Sequence, residues 1–491
     1  MKLKSVLILS LWCFIPFPVV AQSPEPVADN KAGFIDILRH VYELNPSLRA
    51  TRAELQGIHE LYPQALAGYR PSLTLESNIY AKNIDGKSVG VHDGTTTKDV
   101  TLSLSQPLFR GGRTTAEVAR ANSTIKAAYA GLLQGEQVIF LQTITAIADV
   151  IRDRTLVDLR ENNEQLLTEE LKAARARMNA GDLTRTDATQ AEARLARAVS
   201  EKISGQNTLN ASTARFEELV GYLPPDHLEF PRLIFHFPAT RQAMIAMAEQ
   251  NNPEIEMAVH SSAAAGHAVD ATFRELMPQI SAFATYSKEY DPQPGGVEDV
   301  AAQTIGIRAS VPLYEAGSTR SRVREAKDTA RQRDIEIEKT KRRIAQMIVG
   351  DSNGLSAAQA EIISRIAQID ASQAAREGVG EEAHLGERTV LDVLDADQEL
   401  LDAKAARIIA ERNEIVRHYS LAADLGMLLP ERMGLSDIAY RPGDHYRAMG
   451  QRIFSMNPDV TPPASPAPTL VISDSPPPAA TPHYTRVNLP R

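Results

Sequence analysis

Gln106-Pro107-Leu108-Phe109-Arg110-Gly111-Gly112 is answered 205 residues later by Val311-Pro312-Leu313-Tyr314-Glu315-Ala316-Gly317. An alternating run leads into each stretch. Val100, Leu102 and Leu104 alternate with Thr101, Ser103 and Ser105; in the second copy Ile305, Ile307, Ala309 and Val311 oppose Thr304, Arg308 and Ser310. Period-two alternation predicts strands with one apolar and one polar face. Further out, Asn45-Pro46 recurs as Asn252-Pro253 and Pro71 as Pro278. Gly181 with Asp187 recurs as Gly386 with Asp392, and Val220-Gly221 as Leu425-Gly426. All these spacings are 205 or 207 residues, so the chain is a tandem duplication of one unit. That period is far too long for a solenoid repeat.

Each copy reads as helix, strand, strand, long helix, shorter helix. The first copy, 34–221, has a helical stretch at 34–69 with a kink expected at Pro63. Strands follow at about 73–83 and 98–108, then a proline-free helix from Thr114 to about Ala180 and a shorter one at 183–220. The second copy, 241–426, repeats this with strands at about 280–290 and 303–313. Its long helix, from Thr319 to about Leu385, carries Gly350 and Gly354, where a bend is expected. Segments 222–240 and 427–456 interrupt the pattern. A proline-rich tail, 457–491, reads as disordered.

The N-terminus reads as a secretory signal, residues 1–21, followed by a linker at 22–33. Lys2 and Lys4 precede the apolar stretch Val6–Phe14, and Val19 and Ala21 suit cleavage before Gln22. Cys13, the only cysteine, lies inside that signal, which leaves no thiol chemistry afterwards; Trp12 before it does not fit a lipid-anchor site. No later stretch has the 18 or more apolar residues of a membrane-spanning helix. The formal charge of −9 gives no basis for nucleic-acid binding.

Strands of about ten residues with two unlike faces suit a barrel wall between lipid and water. Four such strands cannot close alone, and an open edge in lipid leaves backbone groups unsatisfied at several kcal/mol each. Assembly around a common axis is therefore required.

With these duplicated motifs in order, the chain resembles the TolC family of outer-membrane export channels over about residues 34–430. The resemblance implies an α+β membrane protein: a homotrimer sharing one 12-stranded β-barrel, four strands per chain, continued by a long periplasmic α-helical barrel. It implies the outer membrane of a Gram-negative bacterium, lipid around the barrel, and docking to a periplasmic adaptor and an inner-membrane pump of ABC or RND type. The duct itself would be passive, serving type I protein secretion or small-molecule efflux, with secretion slightly favoured by the missing lipid anchor.

The resemblance also assigns residues at the helical tips. Asp392 and Asp395, three apart on one helical face, match an acidic constriction that would disfavour anions and could be blocked by multivalent cations. Arg388 matches a gate arginine, and Thr186 and Asp187 the groups it bonds in the closed state. Ala383 stands where the family has a gate tyrosine, which removes that second bond. Gly181, Leu183, Gly386 and Thr389 mark the adaptor-docking tips. No cofactor, catalytic residue or resident metal is expected.

Gly350-Asp351-Ser352-Asn353-Gly354 matches G-x-S-x-G, but that elbow needs a preceding strand, and here helix surrounds it. The 11 histidines show no ligand spacing. The competing reading is a periplasmic coiled-coil scaffold or adaptor without a barrel, against which the amphipathic strands argue.

Overall fold

The computed structural model describes residues 33–85, 92–181, 183–293, 297–385 and 387–440. The expected signal at 1–21, most of the linker, the end of the 427–456 segment and the tail lie outside them, as does Gly386.

The first copy consists of α1 (Phe34–Leu44), α2 (Pro46–His59), α3 (Leu61–Leu66) with a 3-10 turn to Tyr69, β1 (Ser72–Asp85), β2 (His92–Phe109), α4 (Arg113–Ala180) and α5 (Arg185–Val220). The second repeats it with α6 (Arg241–Asn251), α7 (Pro253–Phe273) and a 3-10 turn to Leu276. It continues with β3 (Gln279–Gln293), β4 (Val297–Ser310), α8 (Ser318–His384) and α9 (Val390–Asp424). Chain breaks follow local chemistry. Asn45 and Asn252 cap the prolines that open α2 and α7, while the break before α3 falls at Glu60, three residues ahead of Pro63.

The duplicated Asn-Pro has a second use. The Asn45 side-chain amide donates to the Leu219 carbonyl at 2.8 Å, and Asn252 donates to the Asp424 carbonyl at 2.8 Å. Each thus ties the start of its repeat to the end of the same repeat and satisfies a helix-end carbonyl. Both asparagines are buried.

The four strands form one antiparallel sheet in the order β1-β2-β3-β4. They run longer than the sequence pattern suggests, 14 to 18 residues each. Register sorts the faces. Leu73, Leu104, Ala284 and Ile305 make one cross-strand row, and Leu75, Leu102, Tyr286 and Gln303 the next. On the other face lie rows of Thr74, Ser103, Thr285 and Thr304, and of Glu76, Thr101 and Ser287. The apolar face is bare: Leu75 is 70% exposed and Ile305 87%. Among the described residues no helix covers it, as a soluble sheet would require.

The helices stand in columns below the strands they join. α4 packs on α2, α3 and α5 on one side and on α7 and α9 on the other; α8 packs on α6, α7 and α9. The core sits midway, where Phe140, Ile144, Phe216 and Tyr419 meet the irregular segment 222–240. Arg154 holds that segment by the carbonyls of Pro224 and Pro225, and the Tyr419 hydroxyl donates to the Arg232 carbonyl at 2.6 Å.

α8 continues as helix through Gly350 and Gly354. A Cβ on Gly354 would sit 3.1 Å from Arg417 Nε, so this glycine admits the α9 arginine that pairs with Asp351 at 2.7 Å. Close approach of Arg417 is its use here. Ser352 consequently lies mid-helix, without the strand-to-helix elbow of a hydrolase. Among the described residues no helix is long and apolar enough to cross a membrane.

Candidate functional site: the helical tips and the midway layer

Both hairpins end in the same device. Thr184 and Thr389 are N-caps whose hydroxyls accept from the Asp187 and Asp392 amides, each at 3.2 Å. The two carboxylates reach back to the threonine amides at 3.1 and 2.9 Å. These reciprocal bonds satisfy helix-end donors, which explains why threonine and aspartate recur three apart in both copies. Gly181 closes α4 with φ of 89°.

The expected site residues separate in this setting. Within the chain Arg388 pairs with Glu382 at 2.8 Å, on its own hairpin, and not with Thr186 or Asp187. Asp187 is engaged in its cap, and Thr186 is exposed. Asp392 is likewise a cap: its Thr389 bonds, and then the nearby Arg388 charge, hold its carboxyl below the usual range. Asp395 is paired with Arg194 of α5, a contact that crosses between the two hairpins. So the two carboxylates, though three residues apart, have different partners. Leu183 turns inward toward Leu167, Leu171, Leu195 and Leu394, while Thr389 is occupied as a cap.

Sequence reasoning passed over three features. Leu385, at the end of α8, is 77% exposed; an apolar residue at a helix terminus outside the packing stripe is the signal that points to it. Arg376 binds the buried Asp397 at 2.7 Å and locks α8 to α9 just above the tip. The third is a set of buried ionisable groups in the midway layer. Burial pushes Glu136 up to about 7, although Tyr42 donates to it at 3.0 Å and Arg52 lies 3.8 Å away. Burial and then the Asp351 charge push Asp424 up to about 7. His418 is held down to about 4 by burial and accepts the Phe235 amide on Nε2, which keeps the imidazole neutral. Among the described residues no group of three or more His, Cys, Asp or Glu side chains is placed to hold a metal ion.

These features, a bare apolar sheet face, uncapped sheet edges and long paired hairpins, find close parallels. The family described as "Outer membrane efflux protein" matches residues 37–222 and 244–426, the two copies. The chain is 32% identical over 415 residues to the outer membrane efflux protein BepC of Brucella suis, covering 84% of this chain and 90% of that one. It is 21% identical over 402 residues to the outer membrane protein TolC of Escherichia coli, covering 78% and 80%. Among solved structures, the CmeC outer membrane channel of Campylobacter jejuni superposes with a TM-score of 0.72 at 13% identity, covering 84% and 88%. The chain belongs to the outer membrane efflux protein family, as a channel subunit of the Gram-negative outer membrane with a large periplasmic part.

Proposed function

We propose that three copies of this chain close their sheets into one barrel and their helical columns into one periplasmic duct, a passive exit conduit in a tripartite export system. The observation that carries this is the sheet: four strands with an uncovered apolar face, a polar face, and two outer edges, β1 and β4, that no strand among the described residues pairs. A lipid-facing sheet with open edges is stable only when it is closed by further strands. The polar rows of Thr74, Ser103, Thr285 and Thr304 then line water. Energy and cargo selection come from a periplasmic adaptor and an inner-membrane pump, met at the tips around Gly181, Leu183, Gly386, Thr389 and the exposed Leu385. The efflux name of the relative at 32% identity shifts the weight from secretion, favoured above, to small-molecule efflux.

The tip is the gate of this duct. Asp392 and Asp395 from three copies place six carboxylates about the axis, and Arg388 exchanges Glu382 for Thr186 and Asp187 of an adjoining hairpin when the duct closes. The Arg194–Asp395 pair opposes full negative charge in that ring.

Single-channel conductance in a planar bilayer tests both parts. Detergent-purified protein should give a steady, cation-selective conductance blocked by multivalent cations. The Asp392→Ala/Asp395→Ala variant should lose the block. Conductance with the block unchanged would reject the acidic gate and keep the duct. Absence of conductance from protein soluble without detergent would favour the scaffold reading.

A further inference from the structure

The first helix and the segment that follows α9 meet beside a buried carboxyl for which the duct has no use. That segment, 427–440, lies back across the first repeat. Leu428, Met433 and Leu435 are at most 2% exposed and share one core with Ile37, Leu38 and Tyr42 of α1. Polar contacts fasten its far end. Asp437 pairs with Arg39 at 2.5 Å, and the Tyr440 amide donates to the Tyr42 hydroxyl at 2.9 Å. The Arg52 guanidinium of α2 lies 4.2 Å over the Tyr42 ring and 5.9 Å from the Tyr440 ring.

Beneath this strap sits Glu136 of α4, 2% exposed. Tyr42 donates to it at 3.0 Å while accepting the Tyr440 amide, so one hydroxyl joins the carboxyl to the strap. Arg52 stops 3.8 Å short of the same carboxyl. Its Nε and Nη2 are buried with no hydrogen-bond partner among the described residues, and so is the Tyr440 hydroxyl. A guanidinium that lays its face on two rings and leaves N–H groups idle beside a carboxyl has two arrangements open to it. Two further groups bear on the site: Tyr129 of α4, which also feels Glu256 of α7, and the exposed Glu431 of the strap.

We propose that segment 427–440 is a proton-operated strap, closed over α1, α2 and α4 while Glu136 is neutral and loosened when Glu136 ionises. The ionised carboxylate draws Arg52 away from the Tyr440 ring and opposes Glu431. Burial among these elements pushes Glu136 up from 4.5 to about 7, and Glu431 adds to it against Tyr42 and Arg52. Lifting the strap returns the carboxyl to water, where it ionises at its ordinary value. Closure is therefore firmest below about pH 4.5 and weakens as pH rises toward 7. Since α9 runs directly into the strap, closure fixes the upper end of the helix whose other end carries Asp392 and Asp395. The strap belongs to one chain and stands whether or not three chains form a duct.

Hydrogen–deuterium exchange of the full chain in detergent at pH 6 and pH 8, corrected for intrinsic rates, tests this. The Met433, Leu435, Ile438 and Tyr440 amides are all hydrogen-bonded in the closed strap. Their protection should lie below that of α4 around Phe140 and Ile144 at both pH values, the mark of local opening. It should fall about tenfold from pH 6 to pH 8. Glu136→Gln keeps a neutral acceptor for Tyr42 and should flatten that response. Glu431→Gln, at an exposed position, should raise strap protection at pH 8 about twofold, and it decides the matter if Glu136→Gln fails to fold. Strap protection that is level with pH, that falls equally in Glu136→Gln, or that ignores Glu431→Gln would overturn the proposal. So would a strap that exchanges in step with α4.

Discussion

α4 and α8 are equivalent helices of 68 and 67 residues, yet α4 buries 24 of its residues and α8 only 8. Each follows a strand and opens on a left-handed glycine, Gly112 before α4 and Gly317 before α8. What differs is position: α4 has neighbours on both sides, whereas α8 ends the wall. Duplication thus supplied two identical scaffolds, and the second acquired an edge's composition, rich in arginine and lysine where α4 carries Ala, Leu and Ile. The midway layer diverged in the opposite sense. Asp351 and Asp424 form a buried acid pair in copy two, where copy one has Ala146 and Leu219 at the same repeat positions.

The sharpest break between the copies is expected at their closing glycines. Gly426 has φ of 70°, and a Cβ there would fall against the Asn251 carbonyl, closer than real Cβ contacts occur. Gly221 has φ of 95° with open space around it. Gly426→Ala should cost more than about 3 kcal/mol and Gly221→Ala about 1–2 kcal/mol, the left-handed penalty alone. Apparent unfolding temperatures in detergent measure both, and equal losses would show that the backbone clash is relieved by movement.

The acid pair predicts a pH dependence that copy one's Leu219 lacks. Asp424 binds its proton near 3.8 in the unfolded chain and near 7 in the fold. Its contribution is complete below about pH 4 and is lost as pH rises toward 7, because the folded state holds the extra proton. Thermal scans between pH 5 and 7.5 should show wild-type stability falling by on the order of 2 kcal/mol. Asp424→Asn should remove much of that slope, and the remainder should follow Glu136, which has the same sign. A slope untouched by Asp424→Asn would show that Asp424 does not carry it.

The smallest effect expected is at the strand-to-helix turns. Ala316 holds φ of 51° where copy one has Gly111 at 61°. Ala316→Gly should stabilise by about 0.5–1 kcal/mol, read as a small rise in unfolding temperature. Gly111→Ala should destabilise by more, since its Cβ would strike the Met277 side chain.

Part of this was legible from residues alone. The alternating runs point to all four strands, and the Gly181/Asp187 and Gly386/Asp392 recurrences to the two tips, whereas the break at Asn45 lies inside the single helical stretch expected over 34–69. Gly354 is instructive: a glycine in a helix leaves room for a close neighbour, and that neighbour, Arg417, lies 63 residues away. The tip residues were found but their partners were not. Arg388 finds Glu382 across its own turn, whereas Asp395 on Arg194 depends on which hairpin lies beside which.

The sequence by itself determined the duplication, which shows as motifs repeated at a shared offset, and the two faces of the sheet, the caps and the turns, because each of these is settled by residues within a few positions of one another. Tertiary structure alone decided that α8 is an edge, that Asp395 is neutralised by α5, and that Glu136 and Asp424 are buried among apolar neighbours. Burial and ion pairing are properties of what surrounds a side chain, and in this molecule those surroundings come from elements up to a whole repeat away.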